Sequence, residues 1–411
     1  MDLEQELRET YDARLGGLDV SGGDVVTARR TGARMRMRRR FAVGAAAVAV
    51  VAVAVGGSLV GTGRVTIGPS GDTGHWRELP AAPLSPRGDS LAVWTGTEVI
   101  VLGGEENPCP PNADCAVAGE DLRDGAAYDP ATNSWRRIAR APVPVGPGDR
   151  LVQVGDEVVL RHWLQGGSEW YVYEPPADRW TPMHGVPERV ADLPSALGSD
   201  LYVLAGRRLA HYSAVTGQWN LLPPDLLTPR LVERRVTATS SGVVVTGYDA
   251  TKPNDGRSPS VVLVDAWDGT SWRRLPATGQ VGNNGWFWTG TYMVDPEPGT
   301  EDGGQVDGWD HAYPMGGKLD LTTGRWSSLP SSFTDTSGGW GVNASDGRWV
   351  ATYGQVYNTE TGEVGTLPRP DGAPDSGVTA AWAGDRLLAF GGATFDATGA
   401  HVTNRAWLWT P

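Results

Sequence analysis

The strongest constraint on the fold of this chain is a phrase that recurs from about residue 74 onward. Each copy has an apolar strand, a turn rich in Pro, Thr, Asn, Asp or Gly, a tryptophan, and then Leu-Pro or a close variant. The clearest copy is Ala126-Ala-Tyr-Asp-Pro-Ala-Thr-Asn-Ser-Trp-Arg-Arg-Ile138. Two short strands around a polar turn form a hairpin, because Pro and Gly set the backbone of the turn. Such internal repetition predicts a repeat architecture.

The tryptophans of the phrase mark the beginning of one strand in each repeat. They are Trp76, Trp135, Trp180, Trp219, Trp272 and Trp326, and Val364 takes their place in a seventh copy. Two further short strands precede each phrase, for example in segments 89–96 and 98–104. Four short strands in a repeat of about 40–50 residues are typical of a propeller blade. The sequence therefore predicts an all-β fold, a propeller with seven four-stranded blades over residues 74–411.

The two ends of the repeat region are complementary. Segment 75–80 resembles a fourth strand that has no first three strands before it. Segment 405–411 resembles a third strand that has no fourth strand after it. We expect these segments to share one blade, so that an N-terminal strand near Trp76 closes the ring and leaves no open sheet edge.

The repeats resemble kelch repeats, the type found in the central domain of galactose oxidase. In that family a strand ending in Gly-Gly is followed by a downstream Tyr and Trp, and Gly103-Gly104, Tyr128 and Trp135 match this pattern. Gly391-Gly392 match it again in the last repeat, while the middle repeats keep the Trp and lose the double Gly. The resemblance implies a propeller for residues 74–411. It does not identify a subfamily.

Residues 41–60 form a run of 20 residues without a charge. A helix of this length spans about 30 Å, the thickness of the hydrocarbon core of a bilayer. The segment before it, 29–40, carries seven Arg and no acidic residue. The positive-inside rule predicts a signal anchor with residues 1–40 in the cytoplasm, a linker over 61–73 and the propeller outside the cell. The composition, rich in Ala, Gly and Arg, is typical of actinobacterial proteins.

The charge of the chain restricts its partners. Residues 61–411 contain 26 Lys and Arg against 41 Asp and Glu, and an acidic domain is a poor partner for nucleic acid. Residues 2–15 are predicted to form a short amphipathic helix. The tail 1–40 either docks onto a cytoplasmic partner or stays a loose tail.

Cys109 and Cys115 are the two cysteines of the chain, and they lie in one Pro-rich segment. Two Cys so close together in a turn-rich loop predict a local disulfide, which requires an oxidising compartment. The alternative is a pair of inert thiols. Pairing would also remove the Cys that galactose-oxidase-like enzymes cross-link to Tyr, so the sequence does not favour copper chemistry.

Catalytic motifs of the metalloprotease, P-loop and serine-hydrolase types are absent from the sequence. The acidic loop 295–311 could hold calcium through Asp302, Asp307 and Asp310, but a solvated loop is the preferred interpretation. The candidates for ligand binding are Trp286, Trp288, Trp309 and His311. Trp286, Trp288 and Trp340 are extra to the repeated phrase, and filling the core between blades is the favoured role for them.

The sequence thus predicts a membrane-anchored, extracellular binding module without catalytic activity or cofactor. Its ligand would be a protein or a glycan recognised on one propeller face, by loops on a rigid scaffold. The alternatives are a glycan-acting enzyme with its site in the propeller channel and a structural protein of the cell envelope.

Overall fold

A computed structural model of the protein describes most of the repeat region. The described residues are 74–110, 121–188, 190, 193–227, 230–251, 261–276, 286–295, 317–329, 340, 342–352 and 354–411. The predicted tail (1–40), transmembrane helix (41–60) and linker (61–73) lie outside these residues. Within the described ranges no helix is long and apolar enough to cross a membrane.

Seven four-stranded antiparallel sheets make up the described region, together with a 3-10 turn at Pro175–Ala177. The chain begins with β1 (His75–Glu78) and continues into blade 1, which contains β2 (Leu91–Trp94), β3 (Val99–Leu102), β4 (Gly125–Asp129) and β5 (Ser134–Ile138). Blade 2 contains β6 (Arg150–Val154), β7 (Glu157–Leu164), β8 (Gly167–Glu174) and β9 (Arg179–Pro182). Blade 3 contains β10 (Ser195–Leu197), β11 (Asp200–Ala205), β12 (Arg208–Ser213) and β13 (Gln218–Leu221).

The second half of the chain repeats this order. Blade 4 contains β14 (Leu231–Thr239), β15 (Gly242–Asp249), β16 (Val262–Trp267) and β17 (Trp272–Arg274). Blade 5 contains β18 (Phe287–Trp288), β19 (Tyr292–Asp295), β20 (Gly317–Asp320) and β21 (Arg325–Ser327). Blade 6 contains β22 (Asn343–Ser345), β23 (Trp349–Thr352), β24 (Gln355–Asn358) and β25 (Val364–Thr366). Blade 7 contains β26 (Thr379–Ala383), β27 (Arg386–Phe390), the small hairpin β28 (Ala393–Asp396) and β29 (Gly399–Val402), and β30 (Ala406–Thr410), with β1 as its fourth strand.

The seven-bladed propeller predicted from the repeats is confirmed. Each of the six predicted tryptophans, and Val364, lies in the fourth strand of a blade. The split blade is confirmed as well: β1 pairs antiparallel with β30, with Trp76 opposite Trp409 and Glu78 opposite Trp407. This pairing covers the edge that β30 would otherwise expose.

The hydrophobic core lies in the layers between neighbouring blades. In β3, Val99 and Val101 pack with residues of blade 7, whereas Ile100 and Leu102 pack with residues of blade 2. Successive side chains of a strand point to opposite faces of its sheet, so a strand with a blade on either side is apolar at every position. This explains the short, continuous apolar runs of the second strands.

The fourth-strand tryptophans connect neighbouring blades through hydrogen bonds. The indole N–H of Trp135 in blade 1 donates to the carbonyl oxygen of Pro80, which follows β1 of blade 7, at 3.0 Å. The equivalent bonds are Trp76 to Pro368 (2.6 Å), Trp180 to Ala139 (3.0 Å) and Trp272 to Pro223 (2.8 Å). The acceptor always lies just after the fourth strand of the preceding blade. In blades 3 and 5, the indole nitrogens of Trp219 and Trp326 are buried without a hydrogen-bond partner.

The double glycine at the end of β3 permits a close approach to the next blade. Gly103 has a φ of +67°, and a Cβ atom there would overlap the carbonyl oxygen of Val145, which precedes blade 2. Gly206, in the two-residue turn after β11, has a similar φ of +62°, but a Cβ atom there would meet nothing within 4 Å. Backbone conformation thus favours Gly at both positions, and of the two only Gly103 is also required by inter-blade packing.

We predict that Trp135→Phe destabilises the protein by about 1 kcal/mol more than Trp219→Phe. Both substitutions shorten a half-buried ring that contacts a Tyr of the adjacent strand. Only Trp135 also loses an inter-blade hydrogen bond. Urea unfolding of the two variants measures the difference. Equal losses would show that the indole bond contributes nothing to the ring.

We also predict that Gly206→Ala costs about 1 kcal/mol, because Ala disfavours a positive φ. Gly103→Ala should cost about 1–3 kcal/mol more, because its methyl group also overlaps Val145. The two free energies of unfolding, measured under the same conditions, separate conformational strain from inter-blade packing. A Gly103 variant no less stable than the Gly206 variant would contradict the packing argument.

Candidate functional site

The connections between strands differ sharply on the two faces of the propeller. On one face, the first strand of each blade turns into the second through two to four residues. In blades 1 to 6 the third strand also turns into the fourth there, through four or five residues. We call this the tight-turn face. The opposite, long-loop face has the connections between blades, which have 9–15 residues, and the connections between second and third strands. These reach 22 residues in blade 1 and 21 in blade 5.

Large apolar side chains are exposed on the long-loop face of blades 2 to 4. Trp163 at the end of β7 is 54% exposed, and Leu226 in the connection from blade 3 to blade 4 is 51% exposed. Leu164, Leu193 and Val232 are also exposed on this side. Large apolar side chains that remain in contact with water on one face are a feature of interaction surfaces.

A central channel with a volume of about 910 Å³ runs between the first strands of all seven blades. Its wall contains five aromatic side chains: Trp94, Trp286, Phe287, Trp288 and Trp382. A concave cavity with aromatic and polar side chains on its wall is typical of ligand sites.

The two ends of the channel differ in character. Trp94 and Trp288 end their first strands and therefore lie at the tight-turn end. Arg150 and Arg235 lie four residues before the ends of β6 and β14, which places both at the level of the long-loop end. The channel thus has an aromatic end and a basic end.

The surrounding protein shifts the pKa values of two charged groups on the channel wall. Burial lowers the pKa of Arg150, whose guanidinium donates to the carbonyl oxygens of Pro147 (2.9 Å) and Asp149 (2.6 Å). Desolvation raises the pKa of Asp346, although this carboxylate accepts hydrogen bonds from the backbone of Arg348 and Trp349. Removal of water from these charges is the dominant effect in both cases.

Trp286, Trp288 and Trp340, which are extra to the repeated phrase, lie at or beside first strands. Trp286 is 9% exposed and packs with Met293 and Leu319, so it fills the core between blades and touches the channel. Trp288 is half-buried and forms channel wall. Trp340 is 5% exposed and donates its indole N–H to the carbonyl oxygen of Pro374 at 2.9 Å.

Several predicted site residues lie outside the described residues. They are Trp309, His311 and the calcium candidates Asp302, Asp307 and Asp310. Cys115 is also outside, whereas Cys109 is described, so the predicted disulfide stays a prediction. Within the described ranges, no group of three or more His, Cys, Asp or Glu side chains is placed to hold a metal ion.

Three described histidines pair with aspartates, each on a different blade. His162 Nδ1 lies 3.0 Å from Asp149, and His211 Nε2 lies 2.6 Å from Asp200. In the exposed hairpin of blade 7, the Nε2 atom of His401 contacts both Asp396 and Thr398. A hydrolytic triad needs both ring nitrogens, one for the acid and one for the nucleophile. In the hairpin a single nitrogen, Nε2 of His401, contacts both partners, so these three residues do not have the geometry of a triad.

Some residues of the site were not identified from the sequence. Trp94, Arg150 and Trp163 lie in ordinary strand segments, and no local pattern distinguishes them from core residues. Their positions at strand ends could have been used: an antiparallel strand ending in a large exposed residue places it on a predictable face.

The chain matches no known protein-family profile, and no curated protein sequence matches it.

We predict that Trp286→Ala lowers the free energy of unfolding by about 3–5 kcal/mol, the usual cost of removing a buried Trp. Trp288→Ala should cost about half as much, because this ring is half-buried on the channel wall. Trp163→Ala, at an exposed position, is the control and should change stability by less than about 0.5 kcal/mol. Denaturant unfolding measures all three. If Trp288 proved as costly as Trp286, its role would be structural.

Proposed function

We propose that this protein is a kelch-like propeller that binds an extracellular protein ligand through its long-loop face. The observation that carries this proposal is the gathering of all the long connections, and of several exposed apolar side chains, on one face. Loops on a rigid β-scaffold can vary without loss of the core, which is why binding surfaces are built from them. Exposed side chains such as Trp163 and Leu226 on this face favour a protein ligand over a glycan.

Two features support the kelch-like part of the proposal. The left-handed Gly pairs at the ends of β3 and β27 sit against the connections of neighbouring blades. The Tyr and Trp of the repeated phrase face each other across β4 and β5, with ring centroids 5.1 Å apart in blade 1.

The extracellular location rests on the sequence. The uncharged run 41–60 and the Arg-rich segment before it support a single-pass anchor with a cytoplasmic N-terminus. The described chain enters the propeller at His75, and this end of β1 lies on the tight-turn face.

Two reporter variants of the full-length protein, each with one added cysteine, test the location and the face together. Gln165→Cys places a thiol on the long-loop face, and Thr361→Cys places one on the tight-turn face; both positions are exposed. In intact cells, a membrane-impermeant maleimide carrying a benzophenone should label both variants. The unmodified protein should remain unlabelled, because Cys109 and Cys115 are expected to be paired. On irradiation, adducts should form from position 165 and not from position 361.

Each outcome bears on one part of the proposal. Labelling that requires cell lysis would overturn the extracellular location. Equal adducts from both positions, or adducts from position 361 alone, would overturn the assignment of the long-loop face. Adducts that contain glycan instead of protein would overturn the ligand class.

A further inference from the structure

Three carboxylates come together on the long-loop face of blade 1, and we call them the acidic pocket: Asp89, Glu105 and Asp121. Glu105 follows the double glycine at the end of β3. Its backbone exchanges two hydrogen bonds of 2.9 Å with Gly88, and it forms a further bridge with Asp121. Asp89 adopts a φ of +54° directly after Gly88. The backbone of the fold therefore fixes the position of all three residues.

Glu105 is the unusual member of the acidic pocket. Its side chain is 8% exposed, and its Oε2 atom is buried without a hydrogen-bond partner. Burial raises the pKa of Glu105, and the charges of Asp121 and Asp89 raise it further. Glu105 thus lies within electrostatic range of both carboxylates. A buried carboxylate without a partner is costly, and a fold gains nothing from it.

The pKa of each of the other two carboxylates is also raised. Burial raises the pKa of Asp89. Burial and the charge of Asp149 raise the pKa of Asp121, and His162 lowers it in part. Among the residues that the structure describes, no Lys, Arg or His forms an ion pair with any member of the pocket. The nearby cations are engaged elsewhere: Arg87 pairs with Asp124 at 2.8 Å, and His162 pairs with Asp149 at 3.0 Å.

The chemistry that would complete this pocket is an organic cation. The described carboxylates do not form a group placed to hold a metal ion. A guanidinium group needs no such tight cage, because its five N–H donors spread over a planar fork and bind carboxylates separately or in pairs. Asp89 and Asp121 are half-buried and give access from solvent, whereas Glu105 adds buried negative charge.

An exposed indole lies beside this pocket on the same face. The backbone N–H of Trp163 donates to the Asp149 carboxylate at 2.7 Å. The charge of Asp149 in turn raises the pKa of Asp121. The Trp163 side chain is 54% exposed. An aromatic face near a carboxylate cluster suits an arginine, whose guanidinium stacks on rings.

We propose that the acidic pocket binds an arginine side chain of the protein ligand, with Trp163 at its rim. This inference rests on the proposed function, because it names the chemistry that the long-loop face recognises. It adds that the partner presents an arginine-containing segment to blades 1 and 2.

Isothermal titration of the full-length protein with acetylated hexa-arginine amide tests the pocket. The same peptide with citrulline in place of arginine keeps the shape and removes the charge. The pocket variant is Glu105→Gln/Asp121→Asn. The control variant is Glu360→Gln/Asp385→Asn, which removes two exposed charges from the tight-turn face. Both variants therefore lose the same net charge.

We expect hexa-arginine to bind and the citrulline peptide not to bind. The pocket variant should bind hexa-arginine at least tenfold more weakly, and the control variant within twofold of the original affinity. Trp163→Ala, at an exposed position, should weaken binding about threefold through the lost ring contact. The melting temperature of the pocket variant should not fall, because the substitutions remove like charges that repel one another.

Three results would overturn the inference: no binding of hexa-arginine, equal weakening in both double variants, or equal binding of the citrulline peptide. If the pocket variant unfolded, unchanged affinity of the Trp163 variant would count against the site on its own. None of these results alters the cross-linking outcome at position 165. The binding of arginine by the pocket and the proposed function can therefore be refuted independently of each other.

Discussion

The pairing of β1 with β30 is the interaction on which the ring depends. It joins segments more than 300 residues apart and brings Trp76 opposite Trp409. The entropy cost of closing a chain grows only with the logarithm of its length. The cost of this long-range closure therefore exceeds that of a short loop by much less than the difference in length suggests. In return, β30 acquires a partner, and Leu79 and Leu84 complete the apolar layer between blades 7 and 1. Every blade then has a neighbour on both sides.

That closure explains why each blade can consist of such short strands. An isolated four-stranded sheet would bury one face at most, but in the ring the residues of β3 are buried on both faces. The inter-blade indole hydrogen bonds then hold the outer edges of neighbouring blades together. Since the acceptor is a carbonyl oxygen just after the preceding fourth strand, the Leu-Pro that ends several copies of the phrase is part of the same contact.

The number of blades and the closure could be predicted from sequence because their signals are local and recur. A turn residue, a tryptophan and a Leu-Pro at fixed offsets identify a fourth strand wherever they occur. The partner of each indole N–H could not be predicted in this way. Trp135 and Trp219 occupy the same place in their phrases, yet one donates to Pro80 and the other has no partner. The acceptor belongs to another repeat, and its distance depends on how the blades pack.

The double glycine shows the same division between local and inter-blade information. Gly103 and Gly206 both have a positive φ in the connection after the second strand. The close approach of Val145 concerns Gly103 and not Gly206. In blade 3 the residue equivalent to Gly103 is Ala205, because Leu201 and Val203 face the preceding blade as Val99 and Val101 do. The loss of the first Gly of the pair is therefore compatible with a four-stranded blade.

The location of the candidate site was only partly accessible from the sequence. The long connections are visible as long gaps between strand patterns, and alternation of strand direction assigns them to one face. The individual residues of the acidic pocket carry no such signal. Glu105 follows a Gly pair that the family resemblance explains fully, and nothing in its neighbourhood marks it as buried. Its environment depends on Asp89 and Asp121, which come from different connections.

The contrast between Glu105 and Arg87 favours a role in binding over a role in folding. Arg87 is fully buried in the same layer, and the fold satisfies it with Ser85, the carbonyl of Gly103 and a two-fold contact to Asp124. The same few residues could have supplied a partner for Glu105, but its Oε2 atom has none. Stability given up at Glu105 is what a preformed binding pocket requires, because its missing partner arrives with the ligand.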